Sequence, residues 1–175
     1  MHFNWIKTFE SPKLILIGGR PCMGKSTAAL KLAGKIATPD KVGVIEPEKC
    51  LSIQDFEKQL YDKWDNDVLV VDTIQKLTGC MEGNDSSVLD RLKKLVDQKW
   101  CSVIVTSELS RDLEYRDNHF PSLSDFKLGA VERNIFDFAG LLYRESYYNP
   151  AGSKDTYLVF KDTDNKNSFF ISFTE

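Results

Sequence analysis

The sequence predicts an α/β fold in which a mostly parallel sheet is flanked by helices and ends in a C-terminal β-hairpin. Short apolar runs rich in valine and isoleucine recur through the first 105 residues. Segments with apolar residues at helical spacing separate these runs, and strands that alternate with helices form parallel sheets covered on both faces. Beyond them the chain changes to strand-like segments, and a turn signal separates the last two.

The parallel part is predicted from four apolar runs and three amphipathic segments. The strands are expected over Leu14–Ile17, Val42–Ile45, Val68–Val71 and Val103–Val105. Apolar residues recur every three or four positions in the segments predicted as helices, 25–37, 52–63 and 86–99. Asp85 or Ser86 is expected to cap the third helix, because short polar side chains accept hydrogen bonds from the N–H groups of a helix start.

The C-terminal part is predicted to contain three further strands. Its strands are expected over Phe138–Tyr143, Thr156–Phe160 and Phe169–Phe173. Residues 162–167 between the last two are short and polar, which is typical of a hairpin turn. Because the connections between elements are short, the sequence predicts a single domain over 1–175, long enough to bury a hydrophobic core.

Composition and charge exclude several classes of protein. Hydrophobic residues make up 42% of the chain and charged residues 28%, which is typical of a globular protein. The formal net charge of −3 gives no global basic field, so any nucleic-acid contact needs a local patch. The four cysteines have no Cys-x-x-Cys spacing and are not near the two histidines in sequence, which argues against a zinc site. No apolar run approaches the roughly 18 residues of a membrane span, and we expect a cytoplasmic protein with reduced thiols and no membrane contact.

Residues 19–26 read Gly-Arg-Pro-Cys-Met-Gly-Lys-Ser and lie between the first strand and the first helix, the setting that a phosphate-binding loop requires. Gly19 and Gly24 let the backbone approach a triphosphate closely, and the N–H groups at the helix start point at the anion. Lys25 is expected to contact the β- and γ-phosphates, and Ser26 to ligate the magnesium ion that bridges them. The nucleotide contacts predicted from this segment are Gly19, Arg20, Pro21, Cys22, Met23, Gly24, Lys25, Ser26 and Thr27. The alternative, a glycine-rich turn between buried elements, leaves Lys25 at a helix start where a cation opposes the dipole.

Three acidic residues follow predicted strands at the edge of the sheet that holds this loop. Asp72 ends the run Val68–Val71 and is expected to hold the magnesium ion through water. Glu48 follows the second strand, where a carboxylate can orient and deprotonate the water that attacks the γ-phosphate. Glu46 lies nearer that strand, and a solvated loop acid is the alternative for both. Glu108 ends the fourth strand and is placed to sense the γ-phosphate, although two anions repel each other there.

Four segments carry a resemblance to a known family. They are the loop over 19–26 and the stretches Val68–Leu77, Leu123–Glu132 and Leu141–Tyr148. The Arg-Pro-x-Met form of the loop, Leu-Ser-Asp followed by Gly-Ala-x-Glu, and Tyr-Arg-Glu-x-Tyr-Tyr are its most specific parts. In this order they resemble the RecA-like motor domain of DnaB-type replicative helicases, over Leu14 to Phe173. The resemblance implies a RecA-like P-loop ATPase fold, ATP and Mg²⁺ as ligands, single-stranded DNA as a partner, and a hexamer.

The resemblance also implies roles for single residues. Lys25–Ser26 match the phosphate and magnesium residues, Asp72 matches the second nucleotide motif, and Glu48 matches the catalytic carboxylate. The segment Thr106–Arg111 resembles the family's Ser-Gln-Leu-Asn-Arg sensor, with Glu108 in place of the glutamine.

The chain departs from the family pattern in three ways. It matches the motor domain in a shortened form, without the family's amino-terminal domain and linker helix. Residues 49–67 stand where the family has a long helical insertion before the second motif. Lys161–Thr163 replaces the family's Lys-x-Arg, so Thr163 stands in place of the arginine that reaches into a neighbouring subunit. Because such an arginine contributes on the order of 10³ to 10⁵ in rate, a self-assembled ring with this tail is expected to be a weak ATPase.

The segments 75–87 and 111–133 match the loops that track single-stranded DNA in the helicases. The first is hardly basic. The second has basic residues and aromatic residues that can stack on bases, namely Arg111, Arg116, Lys127, Arg133, Tyr115, His119 and Phe120. Its acidic residues nearly cancel that charge, so a solvated polar loop over the nucleotide edge is an equal alternative.

The sequence therefore predicts an ATP-binding and ATP-hydrolysing helicase-type domain for DNA replication or other DNA transactions. The alternative is a nucleotide-gated regulatory module with little motor activity, which the lost arginine and the acidic charge favour. A small-molecule kinase also uses a phosphate loop, but the one long polar loop here is balanced in charge rather than rich in arginine.

Overall fold

The computed structural model describes residues 10–47, 53–63, 65–78, 85–98, 100–126, 135–162 and 168–173. Within these residues the chain forms a seven-stranded sheet with the order β2-β3-β4-β1-β5-β6-β7. The first five strands in chain order pair in parallel, and β6 and β7 add two antiparallel pairings at one side. The predicted fold class, a mostly parallel sheet with helices and a C-terminal antiparallel pair, is confirmed.

All the predicted strands are present within a few residues of their expected bounds. They are β1 (Leu14–Gly19), β2 (Val42–Ile45), β3 (Val68–Val71), β4 (Ser102–Glu108), β5 (Phe138–Arg144), β6 (Thr156–Asp162) and β7 (Ser168–Phe173). The predicted turn between the last two lies mostly outside the described residues.

The three predicted helices are also present, and two short ones join them. The helices are α1 (Lys25–Ile36), α2 (Ile53–Asp62), α3 (Ile74–Thr78), α4 (Asp85–Asp97) and α5 (Glu145–Tyr148). The sequence did not predict α3 and α5, because one turn of helix is too short to show an apolar period. The side chains predicted to cap α4 lie outside the described ones. No helix in the described part of the chain combines the length and apolarity needed to cross a membrane.

Strand β1 lies in the middle of the sheet and is buried along its whole length. Its side chains alternate between the two faces. Leu14 and Leu16 pack in the cluster that includes α4, and Ile15 and Ile17 pack in the cluster that includes α1. Both faces of the parallel part are therefore covered, which explains why its strands are continuous apolar runs rather than alternating ones.

The register of the strands brings several chain segments to one edge of the sheet. Gly19 at the end of β1 pairs with Glu108 at the end of β4, and β3 ends beside them. On the other side of β1, Arg144 at the end of β5 pairs with Thr156, which pairs with Phe173. The loop before α1, the start of α3 and the segment after β4 therefore share this edge, where ligands of open α/β sheets bind.

Candidate nucleotide-binding site

The loop between β1 and α1 has the backbone of a phosphate cradle. Gly24 precedes α1 with φ 88° and ψ 31°, a left-handed conformation that glycine adopts without steric cost. Cys22 also has a positive φ, 60°. The first turn of α1 carries no acidic side chain, and Gly24 has none to cap it. The N–H groups of this helix start are therefore available to an anion.

Gly19 makes room for the lysine of the loop. A Cβ at this position would lie 3.0 Å from Lys25 Cγ and 3.2 Å from Leu142 Cβ. Lys25 folds back over the loop, and its Nζ donates to the carbonyl oxygen of Arg20 at 3.2 Å. Burial lowers the pKa of Lys25, and the carboxylates of Glu108 and Asp72 offset part of that effect. The ammonium therefore lies where it can exchange a backbone carbonyl for a phosphate oxygen.

Asp72 is held by hydroxyl groups from two other elements. Ser26 Oγ donates to Asp72 Oδ2 at 2.5 Å, and Thr106 Oγ1 donates to Asp72 Oδ1. Thr106 is fully buried in β4. The sequence placed it in the sensor-like segment at this edge but did not predict its contact with Asp72. The peptide bond between Asp72 and Thr73 is cis.

These oxygen atoms fit a magnesium ion. Mg²⁺ prefers oxygen ligands and is bound by one or two carboxylates, with phosphate oxygens and waters completing its shell. Ser26 and Asp72 supply a hydroxyl and a carboxylate that already touch. Within the described residues no group of three or more His, Cys, Asp or Glu side chains forms a metal cage, which is compatible with an ion held mainly by a nucleotide.

Gln75 fixes the end of β4 against the start of α3. Its Nε2 donates to Ser107 Oγ at 2.7 Å, and its Oε1 accepts from Thr73 Oγ1 at 2.5 Å and from the backbone N–H of Glu108 at 3.2 Å. Sequence reasoning did not single out Gln75, because a polar side chain in a short helix gives no periodic signal. Gln75 thus holds the backbone of Glu108 at the sheet edge, where the carboxylate of Glu108 acts on Lys25.

The remaining predicted site residues differ in where their side chains lie. Met23 is buried in the core, so it can contribute to a phosphate site through its backbone alone. Pro21, Cys22 and Thr27 are exposed around the loop. Glu48, the predicted catalytic carboxylate, lies outside the described residues.

The chain leading to Glu48 leaves the sheet beside Asp72. The carbonyl of Ile45, the last residue of β2, accepts the backbone N–H of Asp72 at 3.0 Å. Glu46 follows it with an exposed side chain.

Arg20 is buried, and its guanidinium is bonded to residues that follow β4. Its side chain is 5% exposed. Nε and Nη2 donate to Glu114 Oε1 at 2.9 and 2.6 Å, and Nη1 donates to the carbonyl of Leu109 at 2.8 Å. Sequence reasoning treated Glu114 as one of the acids that cancel the charge of 111–133, because nothing local marks the partner of a residue so distant in sequence.

The segment after β4 is also held together by bonds between its own residues. Arg116 forms a bidentate ion pair with Asp125, whose side chain is 1% exposed and also accepts from Ser122. Burial raises the pKa of Asp125, but the hydrogen bonds from Arg116 and Ser122 outweigh burial and lower it overall. Arg116 is therefore engaged within the protein, and the predicted basic residues at 127 and 133 lie outside the described part.

Aromatic stacking joins the same segment to the end of β5 and to α5. The ring of His119 stacks on Tyr148 with centroids 4.3 Å apart, and Phe120 stacks on Tyr143 at 4.2 Å. Burial raises the pKa of Tyr148 to about 12. Phe120 remains 58% exposed and Tyr115 87% exposed. The two predicted stacking residues that face solvent thus lie on a segment anchored beside the phosphate loop.

Comparison with known proteins gives the family. The model of the DnaB-like helicase C-terminal domain matches residues 44–171. The chain belongs to this family. A relative is the replicative DNA helicase DnaB of Geobacillus stearothermophilus, 31% identical over 107 residues, which are 57% of this chain and 21% of that protein. Another is the replicative DNA helicase DnaC of Bacillus subtilis (strain 168), 29% identical over 107 residues with the same coverage. The aligned part thus spans about a fifth of these helicases.

Solved structures show that this DnaB-like domain has a RecA-like ATPase fold. One solved ATPase domain superposes with a TM-score of 0.67 at 19% identity, over 91% of this chain and 80% of that one. A DnaB-like replicative helicase, solved in a study of its interactions with primase, superposes with a TM-score of 0.69 at 19% identity. The superposition covers 91% of this chain and 54% of that helicase chain. A KaiC-like protein of Pyrococcus horikoshii OT3 superposes with a TM-score of 0.63 at 14% identity, over 91% of this chain and 83% of that one. The predicted family and fold are confirmed.

Proposed function

We propose that the chain is an ATP-binding and ATP-hydrolysing helicase-type domain that acts in DNA replication or other DNA transactions. The observation that carries the proposal is the cluster of Lys25, Ser26 and Asp72 at the start of α1, with Glu108 beside Lys25. We assign ATP to the loop over 19–27 and Mg²⁺ to Ser26 and Asp72. Family membership supports this assignment.

The proposed reaction is in-line attack of a water molecule on the γ-phosphate. Mg²⁺, when bound, neutralises charge on the β- and γ-phosphates. Lys25 Nζ leaves the carbonyl of Arg20 and donates to phosphate oxygens, while the N–H groups of α1 hold the phosphate chain. Glu48 orients the attacking water and accepts its proton, and the bond from the γ-phosphorus to the bridging oxygen of ADP breaks.

Assembly and DNA contact belong to the same proposal. We propose that copies of the domain, or this domain and a fuller relative, form a ring around single-stranded DNA, with 75–87 and 111–133 facing the strand. Thr163 stands at the position of the family's arginine, so the proposed ring of identical copies hydrolyses ATP slowly. We further propose that 1–175 acts as one domain and that the protein works in the cytoplasm.

A turnover assay tests the proposal. We expect MgATP hydrolysis that single-stranded DNA accelerates and that Lys25→Ala abolishes, because this change removes the ammonium that folds over the loop. Lys35→Ala, on the exposed face of α1, is the matched control and leaves turnover unchanged. Transfer of phosphate to a metabolite instead of water contradicts the proposal, and so does failure of the wild-type protein to bind ATP.

A nucleotide-gated module is the second candidate. The bonds from Arg20 to Glu114 and Leu109 favour it, because they join the phosphate loop to an exposed segment without involving a second subunit. Tight MgATP binding with negligible turnover, with and without DNA, supports this reading. Light scattering after size exclusion, with and without MgATP, separates the two, since the motor requires assembly and the module does not.

A further inference from the structure

Arg20 differs from the other polar residues of the phosphate loop because its side chain is buried and bonded to the segment after β4. It makes three hydrogen bonds, two to Glu114 and one to the carbonyl of Leu109. A guanidinium held in this fork-like way has little freedom to turn toward a phosphate. Its role is therefore different from that of a phosphate-binding arginine.

The backbone of Arg20 meets the ligand side of the same loop. Its carbonyl oxygen accepts from Lys25 Nζ at 3.2 Å and from the N–H of Met23 at 3.3 Å. When a phosphate draws Lys25 away, the carbonyl of Arg20 loses one of these donors. One residue thus bonds the catalytic lysine through its backbone and the segment after β4 through its side chain.

We propose that Arg20 is a positioning residue that, together with Glu114, couples occupancy of the phosphate loop to the segment 110–126. The inference rests on the proposed function, because it assumes that the loop binds a nucleoside triphosphate. It goes beyond that function by naming a route within one chain, from the phosphate loop through the Arg20 side chain to Glu114.

The surroundings of the pair support a coupled unit rather than an isolated ion pair. Leu109 pairs with Phe126, which closes the segment into a loop whose two ends lie together. His119 stacks on Tyr148, and Arg20 lies close enough for its charge to lower the pKa of Tyr148 against the effect of burial. A shift of Arg20 therefore acts on the segment at more than one point.

Affinity for a fluorescent ATP analogue in the presence of Mg²⁺ gives the first test. Arg20→Lys and Glu114→Gln are each expected to weaken binding about tenfold, within the 5- to 150-fold range of typical site couplings. The double variant is expected to bind no more weakly than either single variant, because both changes break the same contact. Glu114 is 39% exposed, so Glu114→Gln tests the inference even where Arg20→Lys fails to fold.

A second Arg–Glu pair provides the matched control. Arg91 of α4 and Glu57 of α2 form an ion pair with similar exposure of the glutamate, 39%, and no contact with the phosphate loop. Arg91→Lys and Glu57→Gln are expected to leave the affinity for the analogue unchanged. A loss of affinity in these variants as large as that in the Arg20 pair would show a general loss of stability and overturn the inference.

Limited proteolysis gives a readout that a merely structural role does not move. Chymotrypsin cleaves after aromatic residues, and Tyr115 and Phe120 are exposed within the segment. MgATP is expected to slow cleavage of the wild-type protein at these sites and to have no effect on Glu114→Gln at saturating nucleotide. Equal protection in both proteins overturns the inference while the proposed function stands, whereas a wild-type protein that binds no nucleotide overturns both.

Discussion

Asp72 shows how the site depends on single side chains placed by different elements. Its two carboxylate oxygens accept from Ser26 on α1 and from Thr106 on β4, so the carboxylate is oriented before any ion is bound. A preorganised ligand reduces the entropy lost when an ion or substrate binds. The ammonium of Lys25 is held by a backbone carbonyl, and the backbone N–H of Glu108 is held by Gln75.

Glu108 allows a test of charge at the γ-phosphate position. Replacing it by glutamine removes an anion that acts on Lys25 and that repels a triphosphate. We expect Glu108→Gln to bind MgATP about tenfold more tightly at low salt, a gain of about 1.4 kcal/mol in binding free energy. The gain in affinity for MgADP is expected to be smaller. Isothermal titration measures both affinities.

The control for this change removes a charge at the opposite end of β1. Glu10 is exposed and precedes that strand, so Glu10→Gln is expected to leave both affinities unchanged. Weaker ATP binding by Glu108→Gln would mean that the carboxylate helps the site by holding Lys25 rather than hindering it by repulsion.

Among the elements, β1 and the segment after β4 pack closely against each other at Gly18. A Cβ at Gly18 would lie 2.3 Å from the ring of Phe126 and 2.7 Å from a methyl group of Leu109. Both neighbours are buried. The glycine is therefore required by the close approach of the segment that carries Glu114, and the packing keeps that segment over the loop.

Gly18→Ala is expected to destabilise the protein by about 1–3 kcal/mol, the usual effect of overpacking a filled core. Gly34→Ala is the matched control, because a Cβ there meets nothing within 4 Å and Gly34 lies in the helix α1. This second change is expected to stabilise by up to about 1 kcal/mol, the helix propensity difference. Urea unfolding measures both, and equal midpoints for the two variants would contradict the packing argument.

For the molecule as a whole, both faces of the parallel sheet are covered, so distant segments meet at the edge that holds the phosphate loop. Asp125 holds the segment 110–126 in shape at this edge, because its carboxylate accepts from Arg116 and Ser122 of the same segment. The hydrogen bonds to this buried carboxylate lower its pKa in the folded state. The free energy of unfolding therefore depends on pH in the acid range.

The sign of this dependence follows from proton binding. The unfolded carboxyl has its ordinary pKa near 3.8, so between that value and the lower folded pKa the unfolded chain binds more protons. The contribution of Asp125 is therefore complete above pH 3.8 and is lost as the pH falls through the folded pKa. We expect the free energy of unfolding of Asp125→Asn to be about 2 kcal/mol lower than that of the wild-type protein at neutral pH. The difference between the two proteins is expected to narrow in strong acid.

Urea midpoints of both proteins across acid pH measure the effect. Asp97→Asn, which breaks the exposed i,i+4 pair with Lys93, serves as the comparison and is expected to cost no more than about 0.5 kcal/mol. A constant difference between Asp125→Asn and wild type down to the lowest pH would contradict the assignment.

Much of the fold was predictable because strands and helices of useful length carry a periodic signal. The strands β1 to β4 and the helices α1, α2 and α4 follow directly from it. The single turns α3 and α5 were not predicted, since a segment of four or five residues completes too little of a helical period. The sheet order, with β1 between β4 and β5, is a long-range property that the periodicity of each strand does not contain.

The sequence by itself determined the phosphate loop, the acidic residue after β3 and the family, because those features are local patterns of residue type and spacing. The tertiary structure decided which side chains touch. It placed Thr106 on Asp72, Gln75 on the end of β4, and the buried side of Arg20 on Glu114, contacts between residues 32 to 94 positions apart. Such pairs depend on strand register and on packing across the sheet edge, and neither leaves a signal in the neighbouring sequence.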